Sequence, residues 1–283
     1  MDGFLLVDKP KGMTSFKVCN TIRKQFNLNK VGHNGTLDPN ATGLMILATD
    51  KATKLLKLIN EHDKAYIATI TFGYNSKTLD FDSDIIEDIN MNFSKEELLD
   101  KINELKLSKT QIPPMTSAIK VDGKKLYEYQ RENKEVNLKP RDIKIYESSL
   151  LDFKIINNHI EIDIYLSVSK GFYVRSYARD LGKLLGGIAI LKDLRRVKID
   201  NYSIEDSKDL DKINEDDFIS IFDFFKFPII DVRDYLVPMI KNGVELDSRQ
   251  TTIDGIFYVR NNCDIIAIYE KVEENKYKPI LIF

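Results

Sequence analysis

Length, composition and charge narrow the classes of protein to which this chain could belong. The chain has 283 residues, of which 43% are hydrophobic and 30% charged, enough for one large core or two unequal ones. Because 42 basic residues are offset by 44 acidic ones, the net charge of −2 excludes binding to polyanions through overall basicity. No apolar run approaches the roughly 20 residues of a membrane span, and the N-terminus lacks the pattern of a secretory signal. Cys19 and Cys263 lie far apart with no CxxC motif, so we expect neither a disulfide scaffold nor a zinc site, and a cytoplasmic location.

Hydrophobic periodicity predicts a mixture of strands and helices. Alternation at period two is typical of a half-buried strand, steps of three and four residues are typical of helices, and Ser94 to Glu97 form a capping-box sequence. Since strands and helices do not alternate steadily, the pattern predicts an α+β fold with mainly antiparallel strands and argues against a dinucleotide-binding sheet. In chain order, the predicted elements are a strand at 3–7, a helix at 15–26, a strand at 43–49, a helix at 51–60, a strand at 66–72, a helix at 94–105, a strand at 160–168 and a helix at 173–185.

The end of the chain is predicted to form a small β-rich module. Strand-like pieces at 255–260, 264–269 and 279–283 are separated by turn signals such as Asn242-Gly243 and Asp254-Gly255. A module of about 55 residues is close to the lower limit for independent stability, so we expect it to pack on a larger domain. We place the boundary after Pro228, with a main domain at 1–228 and the module at 229–283.

Charge is unevenly distributed along the chain despite the neutral total. Residues 9–64 contain ten basic and four acidic residues, and residues 170–198 contain eight and two, a local charge of +6 in each case. Residues 80–104 and 200–223 each contain nine acidic residues and two lysines. The charged runs are either solvated faces or, for the basic ones, surfaces for a phosphate backbone. The sequence alone leaves both interpretations open.

The segment 31–43 is the strongest candidate for a chemical site. It contains three glycines, His33 and Asp38, and Pro39 restricts Asp38 to an extended conformation. A carboxylate held in this way can act as a nucleophile. The alternative is that Asp38 only caps a turn and that His33 is an ordinary loop histidine. No second catalytic carboxylate, Ser/His/Asp arrangement or set of metal ligands competes for the role.

Five motifs together resemble the TruB family of tRNA pseudouridine synthases. In chain order they are DKPKGMTS at 8–15, GHNGTLDPNATG at 32–43, KAY at 64–66, SKGFYVR at 169–175 and LRR at 194–196. The resemblance spans the whole chain. It implies a pseudouridine synthase fold with a PUA-like RNA-binding module at 229–283, and an insertion at 120–144 that grips the T loop. It also implies isomerisation of uridine 55 in the T arm of tRNA to pseudouridine, after the base is flipped out of the stack.

The resemblance further implies roles for individual residues. Asp38 matches the nucleophile, Tyr66 the aromatic residue that stacks on the base and is a candidate for removing the C5 proton, and Arg175 the partner that keeps the carboxylate ionised. Lys9 and Pro10 are expected to brace the site. No cofactor or metal is implied, because an isomerisation needs no external acceptor. The residues expected to bind the flipped nucleotide are His33, Tyr66, Tyr173 and Leu194.

The chain departs from the family pattern at several positions, and two other functions remain open. Asn34 and Phe172 replace residues that are more common in the family, but neither position is one to which a role is assigned. Lys77 and Ser83 alter a turn that retains Asp80. For Asp80 we expect an indirect role at most. One alternative is a guide-RNA-dependent synthase acting on ribosomal RNA, although no lysine-rich extension is present. The other is a non-catalytic protein that binds or folds tRNA. We expect tRNA as the partner, with no membrane and no obligatory protein partner.

Overall fold

The computed structural model describes residues 2–59, 63–117, 119–121, 123–132, 134 and 136–283. The α-helices within these residues are α1 (Ser15–Gln25), α2 (Leu56–Ile59), α3 (Lys95–Lys106), α4 (Leu126–Arg131), α5 (Val174–Leu184), α6 (Ile221–Phe225) and α7 (Val237–Lys241). The strands are β1 (Gly3–Lys9), β2 (Val31–His33), β3 (Thr42–Thr49), β4 (Lys64–Phe72), β5 (Tyr74–Ser76), β6 (Ile85–Asp88), β7 (Thr110–Gln111), β8 (Lys120–Val121), β9 (Lys124–Lys125), β10 (Arg141–Asp142), β11 (Ile145–Ile156), β12 (His159–Val168), β13 (Ala189–Ile199), β14 (Tyr202–Ser203), β15 (Lys208–Asp209), β16 (Ile219–Ser220), β17 (Ile229–Asp231), β18 (Ile256–Asn261), β19 (Asp264–Glu273) and β20 (Lys276–Ile282). No helix of this part of the chain is long and apolar enough to cross a membrane.

A mixed sheet forms the centre of the molecule. Its path runs β11-β12-β4-β13-β3-β1-β15, and β2, β14 and β16 pair at its sides, which makes ten strands among the described residues. The pairs β11–β12, β12–β4, β4–β13 and β3–β1 are antiparallel, whereas β13–β3 and β1–β15 are parallel. The predicted α+β class with a mainly antiparallel sheet is therefore confirmed.

Both faces of the central strands are buried. On β1 and β3, Leu5, Val7, Met45 and Leu47 pack in one core with residues of α1, α3 and α5. The alternate residues Phe4, Leu6, Leu44 and Ile46 pack in a second core, which includes Tyr258, Ile268 and Leu281 of the C-terminal sheet. Since successive side chains of a strand point to opposite faces, an almost continuous apolar sequence at 43–49 is what burial on both faces requires.

The C-terminal residues form a separate sheet with the order β17-β18-β19-β20. It has a core of its own, which includes Ile240, Phe257 and Tyr269. It also lies against the central sheet through the second core, where Tyr258 donates from its hydroxyl to the Ile221 carbonyl at 2.9 Å. The C-terminal sheet therefore has a core of its own and also packs on the central sheet.

The helix predicted at 51–60 is confirmed as a helical segment, but not as one regular α-helix. The chain forms a 3₁₀ helix from Asp50 to Leu55 and then the short α2, and the predicted end at Asn60 lies outside the described residues. Asp50 has a φ of +46°, and its carboxylate accepts from the backbone N–H groups of Asn29 and Lys30 at 3.0 Å. These contacts fix the first turn against the preceding loop, so the tighter helix is favoured over a regular α-helix.

Candidate active site

A cleft of about 530 Å³ brings most of the predicted site residues together. It lies between the loop that carries Asp38, the strands β4 and β13, and the start of α5. Asp38, Tyr66, Tyr173, Arg175 and Leu194 all line it. His33 is not among the lining residues; it lies half-buried on β2, two strands from β13 in the sheet.

Backbone contacts hold the loop of Asp38 in place. The Leu37 N–H donates to Ser15 Oγ at 2.9 Å, and the Ser15 hydroxyl lies 3.1 Å from the Leu37 carbonyl, to which it donates. The Pro39 carbonyl accepts from Lys9 Nζ at 3.0 Å and from the Gly12 N–H at 2.8 Å. Lys9 is fully buried, and its contact with the Pro39 carbonyl braces the loop. The carboxylate of Asp38 is thus presented by a main chain that is fixed on both sides.

Arg175 connects Asp38 to the opposite wall of the cleft. Its Nη2 lies 3.2 Å from Asp38 Oδ2, and its Nη1 lies 3.3 Å from Asp80 Oδ2. The same Nη1 donates to the Thr78 carbonyl at 3.1 Å and to the Thr116 hydroxyl. The Arg175 side chain is 10% exposed and that of Asp38 is 40% exposed, so the guanidinium is buried while the carboxylate faces the cleft. A planar guanidinium with several fixed acceptors orients its carboxylate partner as well as attracting it.

Asp80 does not line the cleft but contacts Arg175, which does. Burial raises the pKa of Asp80. The hydrogen bond from the Thr78 hydroxyl and the charge of Arg175 reduce this rise but do not cancel it. The loop of Asp80 lies between β5 and β6 and pairs with β13 at Leu191. Asp80 therefore contacts Arg175, in line with the indirect role expected from the sequence.

Tyr66 and Arg196 form a buried pair at the base of the cleft. They are register partners on β4 and β13, with exposures of 8% and 1%. Arg196 Nε donates to the Leu44 carbonyl at 2.7 Å and Nη2 donates to the Gly35 carbonyl at 3.3 Å. Burial raises the pKa of Tyr66, the nearby guanidinium opposes this rise, and the Asp38 carboxylate adds to it. Sequence reasoning gave Arg196 no role, although it belongs to the LRR motif.

Lys64 is a further cleft residue that sequence reasoning missed. It lines the cleft together with Tyr66 and Arg196. Burial and the charge of Arg196 lower the pKa of Lys64 to about 8, and Asp63 opposes this effect. The only sequence signal was its place in the KAY motif, which the resemblance used for Tyr66 alone.

The remaining predicted residues lie at the rim and behind the cleft. Tyr173 precedes α5, where its N–H donates to Gln111 Oε1 at 2.9 Å, and its carbonyl accepts from Gln111 Nε2 at 3.1 Å. Leu194 lies on β13 and packs partly against the main core. His33 Nδ1 is buried with no hydrogen-bond partner in the described part of the chain, and burial lowers the pKa of His33, which favours the neutral ring.

The segment 120–144 begins beside the cleft. Thr116 and Ser117, just before it, line the cleft, and β8, β9 and α4 follow. Lys124 and Lys134 both contact the carboxylate of Glu132, so part of the positive charge of the segment is neutralised. Two acidic residues of this segment, Asp122 and Glu135, lie outside the described residues. No group of three or more His, Cys, Asp or Glu side chains within the described ranges is placed to hold a metal ion.

Comparison with known proteins agrees with this fold. Two solved structures have the same fold. The first is a Cbf5-Nop10-Gar1 complex, which has a TM-score of 0.67 and 21% identity and covers 99% of this chain and 84% of that one. The second is an H/ACA RNP bound to a substrate RNA containing 2'-deoxyuridine, which has a TM-score of 0.64 and 20% identity and covers 96% of this chain and 78% of that one. At this identity they show the fold alone.

The sequence comparisons define the family more closely. The sequence model of the family described as TruB family pseudouridylate synthase (N terminal domain) matches residues 23–174. Proteins named tRNA pseudouridine synthase B are 39% identical in Acholeplasma laidlawii and 37% identical in Aster yellows witches'-broom phytoplasma, in each case over the full length of both chains. The chain therefore belongs to the TruB family of pseudouridylate synthases, enzymes that isomerise uridine to pseudouridine.

Proposed function

We propose that the protein converts uridine 55 in the T arm of tRNA to pseudouridine, with Asp38 as the nucleophile. The observation that carries this proposal is the Asp38 carboxylate at the wall of the cleft, 3.2 Å from Arg175. The full-length relatives named tRNA pseudouridine synthase B support tRNA as the substrate.

The cleft suits a single flipped nucleotide. A uridine inside a folded T arm must leave its stack before its glycosidic bond can be reached, which costs a few kcal/mol. Tyr66, Tyr173 and Leu194 offer aromatic and apolar surface that recovers part of this cost. His33 then supports the loop that presents Asp38 rather than contacting the base directly.

The reaction needs no cofactor, because its atoms and electrons balance within the substrate. The N1–C1′ bond breaks, a C5–C1′ bond forms, and one proton moves from C5 to N1. Asp38 supplies the transient covalent partner, and Arg175, whose Nη2 lies 3.2 Å from Asp38 Oδ2, orients the carboxylate. The oriented nucleophile is the part of this chemistry that the chain itself must provide.

Several further features belong to the same proposal. The segment 120–144 would grip the T loop, the unit at 229–283 would act as a PUA-like RNA-binding module, and the enzyme would work in the cytoplasm without an obligatory protein partner. The exposed Lys139, Arg141 and Lys144 support the first of these, because they offer positive charge to a phosphate backbone.

The test is to incubate unmodified tRNA with the purified protein alone and to map pseudouridine by mass spectrometry. We expect modification at position 55 with the natural chain and none with Asp38→Asn, whose tRNA affinity should stay within about threefold because binding rests on many phosphate contacts. Asp152→Asn, an exposed carboxylate on β11, serves as the matched control and should behave as the natural chain does. Turnover by Asp38→Asn would remove Asp38 from its role, and binding without modification by the natural chain would favour a tRNA-folding protein.

A further inference from the structure

Lys64 lies in the nucleotide cleft beside the residues assigned to the reaction. It is the first residue of β4, two positions before Tyr66, so both side chains point to the same face of the sheet. Both also line the cleft that Asp38 lines. A Cβ built on Gly35 would lie 3.9 Å from Lys64 Cε and 3.7 Å from Arg196 Nη1. Two cationic side chains therefore converge below the loop that carries the nucleophile.

Among the described residues, charged and titratable groups approach Lys64 from four elements. Arg196 approaches from β13, Asp63 directly precedes β4, Tyr66 lies on the same strand, and Asp38 faces them from its loop. Burial and Arg196 together bring the pKa of the Lys64 ammonium down to about 8, against the effect of Asp63. Near neutral pH this group is charged, but it gives up its proton far more readily than an ordinary lysine. A group with a pKa near the working pH is the most effective acid and base.

The other cleft residues are poorly suited to carry a proton. The pKa of Tyr66 is raised by burial, so its phenol stays protonated at neutral pH and cannot accept the C5 proton. Arg175 is committed to Asp38 and Asp80, and a guanidinium does not release a proton in this range. Asp38 is engaged as the nucleophile. The proton that must move from C5 to N1 therefore needs a different carrier.

We propose that Lys64 is a catalytic residue that carries this proton between the two ring atoms of the flipped base. After the N1–C1′ bond has broken and the C5–C1′ bond has formed, C5 still holds its hydrogen and N1 lacks one. The Lys64 ammonium donates a proton to N1, which makes the C5 hydrogen acidic. The resulting amine takes that proton, the conjugated ring is restored, and the ammonium is regenerated. The inference rests on the proposed function, and the balance requires no other reactant.

The experiment compares two substitutions of Lys64 in single-turnover reactions on a T-arm stem-loop RNA. Lys64→Arg keeps the positive charge but removes a proton that can be released, and Lys64→Ala removes both. We expect the rate constant to fall by at least about 100-fold in both variants, as is typical for loss of an acid–base group. We expect RNA affinity to stay within about threefold in Lys64→Arg, because the charge is retained.

Chemical rescue separates proton transfer from a structural role. Methylamine added to Lys64→Ala should restore the rate by at least about tenfold in a concentration-dependent manner, because a free amine can take the place of the side chain. Lys95→Ala, which removes an exposed lysine at the start of α3, is the matched control and should show neither a loss nor a response to amine.

Two results overturn the inference: activity of Lys64→Arg within about threefold of the natural chain, or no response of Lys64→Ala to methylamine. In both cases the natural chain still forms pseudouridine. If instead the natural chain forms none on this RNA, the proposed function itself fails, so the two failures are distinguishable.

Discussion

The Asp38 carboxylate is positioned by two independent sets of contacts. Lys9, Gly12 and Ser15 hold the main chain on either side of it, whereas Arg175 contacts the carboxylate itself. The first set does not involve the side chain of Asp38. Loss of Arg175 should therefore leave the loop in place and affect only the orientation of the nucleophile.

We predict that Arg175→Ala lowers the rate constant at saturating RNA by roughly 100-fold while leaving RNA affinity within about threefold, because a misplaced reacting group is costly in rate and not in binding. Single-turnover kinetics and filter binding on one preparation measure both quantities. Arg179→Ala is the matched control, since Arg179 lies one turn further along α5 and donates to the Ile112 carbonyl and to Asp180. Normal rate with weak binding would make Arg175 a phosphate contact instead.

Lys9 gives a prediction about stability and pH. In the folded protein burial lowers its pKa to about 8 from the ordinary 10.5. Between these two values the unfolded chain binds more protons, so the free energy of unfolding should rise with pH across this window. Relative to Lys9→Met, the full rise is on the order of 3 kcal/mol. Urea unfolding of both proteins at pH 8 and pH 10 measures about two thirds of this rise, about 2 kcal/mol, and a difference that does not change with pH would contradict the burial of this charge.

The site could be predicted only where a motif pointed to it. The sequence motifs led to Asp38, Tyr66, Arg175, Tyr173 and Leu194, all of which line the cleft. The contact between Asp80 and Arg175 and the burial of Arg196 could not be predicted, because they depend on the register of β4, β13 and β3 and on the loop after β5. His33, which the resemblance places at the flipped nucleotide, is not among the lining residues and lies on β2, two strands from β13.

At the level of single elements, local signals succeeded where contacts were local. The capping box of α3 forms as its sequence predicts, with the Glu97 N–H donating to Ser94 Oγ at 3.1 Å and the Ser94 N–H donating to Glu97 Oε2 at 2.7 Å. The segment predicted as a helix at 51–60 is helical, but it begins as a 3₁₀ helix where Asp50 is fixed by a loop that precedes it by some twenty residues. Tertiary contacts of this kind override periodicity.

The packing of β3 on β13 depends on Gly43. Its φ is +106°, and a Cβ at this position would lie 2.2 Å from the Arg196 carbonyl oxygen. A side chain here would separate the strands that position Leu194 and Arg196.

We predict that Gly43→Ala destabilises the protein by several times the roughly 1 kcal/mol that positive φ alone costs, and that it reduces turnover. Gly186→Ala isolates the cost of φ, because Gly186 has a φ of +80° and no atom within 4 Å of an added Cβ. Thermal unfolding and single-turnover rates of both variants provide the comparison. Equal destabilisation of the two variants would show that the strands move apart without cost.

At the scale of the whole molecule, RNA binding depends on local charge. The basic stretches at 9–64 and 170–198 contribute Asp38, Lys64, Arg175 and Arg196 to one cleft. The acidic stretch at 200–223 neutralises its own lysines, since Lys208 pairs with Asp217 and Lys212 with Asp209.

We predict that charge reversal at Lys139 and Arg141 weakens tRNA binding and lowers the slope of log affinity against log salt by about one for each phosphate that the variant no longer neutralises. The same reversal at Lys208 and Lys212 should change neither quantity. Binding titrations at several salt concentrations measure the slopes. Equal effects at the two places would contradict a specific basic surface beside the cleft.

The burial of β1 and β3 on both faces has a consequence for folding during protein synthesis. These strands are made before many of their partners: β1 pairs with β15 and β16, β3 pairs with β13, and both pack on the C-terminal sheet. Because synthesis proceeds from the N-terminus, β1 and β3 must wait for partners that leave the ribosome later. A nascent chain that has exposed only the loop of Asp38 lacks Arg175, Leu194 and Arg196, so the cleft cannot close around a nucleotide until β13 has left the ribosome.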